Sequence, residues 1–466
     1  MKQINDKNTL TLSTVICILA SVFVVLKMIT GSNLFLLVFL VLLAFGIAKD
    51  SIENKILYIL YFIPWAYVLK FSLDQMSLIT VLSAWYCVIS VAYILLNRTR
   101  ISIFYITVIV SIFLYSFLSV ITNSNASIVG ILSFLLNFVV IYFATLFVRN
   151  KKLIPRYILF HSLGLTVSGL VNVLGNSFPE IENYMTSFTV YHTVYTTNTL
   201  YTRFTGLDMD PNYFSIQVLI AIACLCIITF SNKVTLTSHE KNFSYFFMIT
   251  LSAMGIMTLS KMFLISFGLL IGIVLILLLK ENFKKGIYYI VSISSVLSLT
   301  TYIFYDYLYQ AFFFRFFSAG NTASSITSGR SDIWLSYYNE ITGNPQILFL
   351  GNGISSEFFD GRISHNMYLI AWYYLGIVGI ILFFVLFLSL YMQLKYNLKL
   401  KSSFSPLSLS TIPLIIAVVA NFALDSFVME YFGVHVFLII MVLVLNLQED
   451  PDLMHEAPVK LEVFMP

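Results

Sequence analysis

The chain has 466 residues, of which 59% are hydrophobic and only 10% charged, and its mean hydropathy is +0.90. A soluble domain carries about a quarter of its residues as charges, so this composition excludes one and indicates a polytopic membrane protein with no nucleic-acid partner. The formal net charge of +4 says little by itself, because in such a protein the loops that carry the charge set orientation.

A membrane span needs about twenty mostly apolar residues. On that rule fourteen stretches qualify in chain order: 9–27, 34–48, 56–71, 77–96, 102–122, 127–148, 157–174, 213–231, 243–258, 261–279, 286–304, 367–391, 408–424 and 432–447. The first apolar run, Leu10 to Leu26, is long enough to span and lacks a small-residue cleavage site, so it is expected to stay in the protein. The expected fold is an all-α polytopic membrane protein of about 14 transmembrane helices (12–14), with two long outward-facing loops, the second a partly helical cap.

Basic residues divide the loops into two sets. Lys2 and Lys7, Lys49 and Lys55, Arg98 and Arg100, the Arg149/Lys151/Lys152/Arg156 cluster, Lys233 and Lys241, Lys280/Lys284/Lys285, and Lys395/Lys399/Lys401 fall in every second loop. The positive-inside rule places these, with both termini, in the cytoplasm. The corresponding organisation is N-terminal spans over 1–174, a first long outer loop over 175–212, central spans over 213–304, a large outer loop over 305–366, C-terminal spans over 367–447, and a cytoplasmic tail over 448–466.

Most outer loops are minimal, such as Gly31-Ser32-Asn33, but two are long. The same bias that fills inner loops with cations should empty the outer ones, yet the outer face carries Arg203, Lys261, Arg315, Arg330 and Arg362. Cations kept there point to an anionic ligand. Arg362, after Asp360-Gly361, reads as a solvated turn residue, and Arg315, inside Phe312 to Phe317, reads equally as a cation snorkelling beside an interfacial aromatic belt. Asp210-Pro211-Asn212 reads as a turn and helix cap.

Other chemistries find no support. Cys17, Cys87, Cys224 and Cys226 lie inside apolar runs, and His161, His192, His239, His365, His435 and His455 lack metal-ligand spacing, so no metal or other cofactor is expected. Gly351-Asn352-Gly353 lacks the lysine and third glycine of a nucleotide loop. His365 stands apart: it ends the second long loop just before a span, with Asn366 next to it and Arg330 and Trp334 upstream.

Four motifs occur together in the second half of the chain, Ser328-Gly329-Arg330 with Trp334, Leu350-Gly351-Asn352-Gly353, His365-Asn366-Met367-Tyr368-Leu369, and Leu375-Gly376-Ile377-Val378-Gly379, and are preceded by Arg203-Phe204-Thr205-Gly206. In order and spacing they resemble the O-antigen ligase/polymerase family (Wzy/WaaL type), over roughly residues 200 to 380. Ser260-Lys261 stands where members commonly have Ser-Arg, which keeps the charge and loses the bidentate fork.

The resemblance implies metal-independent glycosyl transfer from a polyprenyl-diphosphate-linked oligosaccharide at the outer face of the cytoplasmic membrane. Donor and acceptor would both be lipid-linked, with membrane lipids around them and a chain-length regulator and a flippase as partners. On that basis Arg330 and Arg203 bind the diphosphate, with Lys261 in support and Arg315 a further candidate. His365 is the general base for the acceptor hydroxyl, and Asn366, Trp334 and Tyr368 are substrate-binding candidates, with Trp334, Tyr337 and Tyr338 as a sugar platform or interface aromatics. A carboxylate among Asp208, Asp210, Asp332 and Glu357 is the alternative base, and Gly376 and Gly379 read as close helix packing. The reading adopted is a polymerase of a bacterial surface polysaccharide, with a ligase onto lipid A core or a lipid-linked oligosaccharide flippase as the alternatives. The topology has a direct test: cysteines introduced at Ser324 and Ser402 are expected to label from outside and inside the cell respectively, and the reverse pattern would overturn the span count.

Overall fold

The computed structural model describes residues 6–71, 76–99, 101, 103–122, 128–175, 177–188, 193–195, 200–208, 210–231, 233–281, 283–303, 305, 309, 327, 329–354, 358–401, 409–424 and 432–448. Its helices are α1 (Asp6–Thr30), α2 (Leu34–Lys49), α3 (Lys55–Phe62), α4 (Leu78–Asn97), α5 (Ile103–Thr122), α6 (Ile128–Phe147), α7 (Leu153–Gly175), α8 (Pro179–Phe188) and α9 (Pro211–Phe230) in the first half. The second half contributes α10 (Ser238–Met257), α11 (Lys261–Glu281), α12 (Phe283–Ile303), α13 (Arg330–Gly343), α14 (Pro345–Leu350), α15 (Met367–Asn397), α16 (Ile412–Ala420) and α17 (Phe432–Leu445). The all-α expectation meets one exception, an antiparallel ribbon in the first long loop, where β1 (Thr193–Tyr195) pairs with β2 (Leu200–Thr202), Thr193 opposite Thr202.

Every one of the fourteen apolar stretches carries helix. Among the described residues six are long and apolar enough to cross a membrane: Leu12–Thr30, Leu78–Asn97, Leu153–Gly175, Pro211–Phe230, Lys261–Lys280 and Met367–Asn397. The protein is therefore an α-helical membrane protein, with shorter apolar helices beside these six. Two expected spans are shorter than drawn from the sequence. The 56–71 stretch is α3 followed by a 3-10 turn through Pro64 to Trp65, and the 408–424 stretch is a 3-10 turn leading into α16. At about 1.5 Å per residue the nine residues of α16 reach only about half the hydrocarbon thickness.

The centre of the bundle is α9. A helix that is apolar all round belongs in a core, and Pro211 to Ile228 are buried without a break. It packs on α7, α10, α11, α16 and α17. Asp210 caps its start by accepting from the Asn212 amide at 2.6 Å, and Pro211 supplies a preset φ at the first helical position. At the other end of α9, Lys233 donates from Nζ to the Asn446 carbonyl at 2.8 Å, and Lys151 to that of Leu447 at 2.6 Å, so two cations sit at the C-terminal end of α17.

The feature that shapes this end of the bundle, where α13 and α14 lie, is a break inside α15. Gly376 has φ 59° and ψ −177°, so the 31 residues of α15 form two helical segments rather than one continuous span. Such a break frees the carbonyls of Tyr373, Tyr374 and Leu375 from their partners four residues on, and buried carbonyls need donors. The Gly351-Asn352-Gly353 turn supplies two of them: Asn352 N–H donates to Tyr373 O at 2.7 Å and Gly353 N–H to Tyr374 O at 3.0 Å. Tyr115 of α5 supplies the third, its hydroxyl hydrogen-bonding Leu375 O and lying 2.6 Å from Leu350 O, while its oxygen also takes a backbone bond at Gly379. The turn approaches so closely that a Cβ on Gly351 would lie 2.3 Å from Tyr374 O, and one on Gly376 would lie 2.4 Å from the Phe349 carbonyl. Gly376 thus breaks the helix, where close packing alone was expected; Gly379 does pack closely, against Tyr115.

Alanine at Gly351 or Gly376 is expected to destabilise the protein by about 2 kcal/mol or more, since both positions combine positive φ with backbone contact. Gly343, in open space at the end of α13, should tolerate alanine with a change of at most about 1 kcal/mol. Thermal unfolding of the purified variants in detergent measures both, and equal midpoints for Gly351→Ala and Gly343→Ala would refute the packing account.

Candidate functional site

The described parts of the two long loops lie at the same end of the bundle. Where α10 ends, Thr258, Leu259 and Ser260 make a tight reversal, with Leu259 at φ 52° and the Ser260 hydroxyl accepting from Phe263 N–H at 3.4 Å to open α11. The reversal leaves the Thr258 carbonyl facing the first loop. Arg203 donates to it from Nε at 2.8 Å and to Asn212 Oδ1 from Nη2 at 3.0 Å, and the adjacent Phe204 N–H reaches Met257 O at 3.1 Å. One guanidinium thus joins the loop, the start of α9 and the α10–α11 turn. Lys261, half-buried, is the first residue of α11 at that turn.

Beyond Arg203 the chain is buried from Phe204 to Asp208. Gly206, at φ 58°, lets it pass the Phe214 ring, which a Cβ would strike at 2.3 Å. Asp208 accepts from Gln217 Nε2 at 2.6 Å, below the cap made by Asp210. Among the described residues Gln217 Oε1 has no hydrogen-bond partner.

Arg330 opens α13 after Gly329, which takes φ 82°. It donates from Nη1 to the Ala423 carbonyl at 2.6 Å, just past the end of α16. Burial pushes its guanidinium pKa down, while the charges of Asp210 and Tyr213 at the start of α9 act in the opposite direction. Arg330 thereby stands within electrostatic reach of the start of α9. The end of α16 also receives α15, because Asn421 O accepts from Met367 N–H at 3.0 Å.

His365 lies just before that junction, at φ 50° and half-buried. Its neighbours are fixed from α13: Trp334 Nε1 donates to Ser364 O at 2.7 Å, and Tyr337 Oη donates to Arg362 O at 2.8 Å. Ser364 Oγ accepts from Asn366 N–H at 3.1 Å and donates to Asn366 O at 3.0 Å. Hydrogen bonds thus join Arg203 to the start of α9, and Arg330 and the start of α15 to the end of α16, while the charge at the start of α9 acts on Arg330. The N-termini of α9, α11, α13 and α15 belong to this region, and N-termini favour anions.

Three expected ligand groups have other partners. Asn366 Oδ1 caps α15, accepting from Tyr368 N–H at 3.0 Å and Leu369 N–H at 3.1 Å. The Trp334 indole N–H is engaged with the loop carbonyl of Ser364, and Tyr368 donates its hydroxyl to Val418 O at 2.7 Å while its ring lies 4.8 Å from that of Phe422. Asp210 is the helix cap that the sequence indicated, and Asp332 is exposed in the first turn of α13. Arg315 and Glu357 lie outside the described residues. Sequence reasoning missed Asn212, whose position beside a cap-forming Asp-Pro was the only signal, and the carbonyls of Thr258, Asn421 and Ala423, which have none.

These observations define an α-helical membrane protein with a cationic cluster of helix ends at one end of its bundle. No protein-family model matches the chain, and no curated protein or solved structure is significantly similar to it.

Asn366→Ala is expected to lower stability by about 1 kcal/mol through loss of the cap, and Asn366→Asp to retain it. Urea or thermal unfolding distinguishes them; equal stability of Ala and wild type would return Asn366 to the list of ligand groups.

Proposed function

We propose that the protein polymerises a bacterial surface polysaccharide, whether O-antigen, capsule or exopolysaccharide. It would move a growing glycan from its polyprenyl-diphosphate carrier onto another lipid-linked repeat unit at the outer face of the cytoplasmic membrane. The observation that carries this reading is the meeting of the two long loops, which sets Arg203, Arg330 and the His365 segment at adjoining helix ends. The residues of the family resemblance are thus spatial neighbours as well as sequential ones.

In the proposed reaction the acceptor sugar hydroxyl attacks the anomeric carbon of the donor and the bond from that carbon to the diphosphate oxygen breaks. His365 takes the hydroxyl proton as the new glycosidic bond forms. The diphosphate leaves with its charge met by Arg330, by Arg203 and Lys261, and by the N-terminal ends of nearby helices. A guanidinium has five N–H donors, and the bond from Arg330 to Ala423 uses one of them. Its burial favours this task, since a cation in a water-poor site binds phosphate oxygens more strongly.

Purified protein in detergent, given a polyprenyl-diphosphate-linked repeat unit without metal or nucleotide, is expected to produce a ladder of lipid-linked glycans. His365→Ala should lower turnover by about 10²-fold or more, and Arg330→Lys by about 10²-fold, both at normal protein levels. Full product from Arg330→Lys would remove Arg330 from the diphosphate site; polymerisation by His365→Ala would move the base to a carboxylate, with Asp208 first in line. Absence of a wild-type ladder, restored by adding lipid A core as acceptor, would make the protein a ligase.

A further inference from the structure

His365 has a left-handed backbone conformation, which is strained for a non-glycine residue and persists only where the surroundings impose it. The imposing contacts trace back to the break in α15. Asn352, held there by its backbone bond to Tyr373 O, also donates from Nδ2 to Tyr373 Oη at 2.6 Å. The Tyr373 ring stands edge-on to Tyr337, with centroids 5.3 Å apart at 75°, and 6.1 Å from Phe359, while Tyr337 and Phe359 are 5.5 Å apart. Tyr337 is fully buried, and its hydroxyl is used twice: it donates to Arg362 O at 2.8 Å and accepts from Phe359 N–H at 3.2 Å. Both groups that it serves are main-chain atoms of the segment leading to His365.

We infer that Tyr337 is a positioning residue: seated by Tyr373 and Phe359, it fixes the backbone from Phe359 to Arg362 and so the direction in which His365 is presented. Trp334 acts one step later in the same segment, through Ser364 O. This inference rests on the reading of His365 as the base, but its structural part does not. A tyrosine serving only to fill the core would use its ring; here the hydroxyl holds a donor and an acceptor that phenylalanine would leave unmet.

The test compares wild type with Tyr337→Phe, which keeps the ring contacts and removes only the hydroxyl. Modification of His365 by diethyl pyrocarbonate, followed by peptide mass spectrometry, is expected to be faster in the variant by at least about five-fold, since both hydrogen bonds that hold the segment are lost. His239, exposed at the start of α10, serves as the internal reference and should react equally in both. In the polymerisation assay kcat should fall by about 10- to 100-fold with KM unchanged, because misdirection of the base affects the chemical step. Equal His365 reactivity in the two proteins would overturn the inference, as would unchanged kcat where wild type is active. If wild type makes no product, the functional reading fails while the labelling ratio still decides whether Tyr337 positions His365.

Discussion

The end of the bundle that carries the candidate site depends on how α15 satisfies its own backbone. In apolar surroundings a carbonyl without a donor costs several kcal/mol, so a helix can be interrupted there only if something else supplies the hydrogen bonds. Gly376 makes the interruption, and the Gly351-Asn352-Gly353 turn and Tyr115 answer it. The turn joins α14 to the helix behind it, so the hydrogen bonds that repair α15 also anchor the cap formed by α13 and α14. Glycine is required on both sides because two backbones meet where side chains would normally keep them apart.

Charge is handled at the same end by pairing cations with helix ends. Arg330 bonds to a carbonyl past the C-terminus of α16, and Arg203 to one past the C-terminus of α10. A charge near a helix terminus contributes about 0.3–1 kcal/mol, whereas a hydrogen bond to a charged group contributes about 1.5–3, so the direct bonds decide where the guanidinium groups sit. Asp210 then counters part of the desolvation cost of Arg330 while its carboxylate caps α9. One carboxylate thereby serves both the start of α9 and the charge of the half-buried arginine. The short length of α16 follows the same logic, because its early end brings the carbonyls of Asn421 and Ala423 to Met367 and Arg330.

Much of this was legible in the sequence and the remainder was hidden for identifiable reasons. The helices were legible because apolar runs of about twenty residues leave few alternatives, and the Asp210 cap because Asp before Pro has a local chemical meaning. Arg203 and Arg330 stood out as cations on a face where orientation bias depletes them. The break at Gly376 was not legible, since glycine in an apolar run serves close packing or a kink equally well and only the arrival of residues 351–353 selects the kink. Trp334, Asn366 and Tyr368 were read as ligand groups because their polar atoms are side-chain atoms, yet each meets a backbone atom in this chain. A carbonyl or amide of the main chain leaves no mark in composition, so such partnerships appear only when the fold is known.

The position of the first long loop bears on how substrate reaches the site. A transporter needs a path through its middle that opens alternately to the two sides, usually between helices interrupted near the bilayer midplane. Here the middle is α9, buried all round, and the segment from Phe204 to Asp208 is packed down beside its start, closed further by the Asp208–Gln217 hydrogen bond. The interruption that does exist, at Gly376, is filled by the chain's own turn and by Tyr115. Opening a central path would break these bonds and expose the polar atoms of a tightly packed segment. The arrangement suits a site worked from one face; on the proposed function, lipid-linked substrates would reach the helix ends laterally.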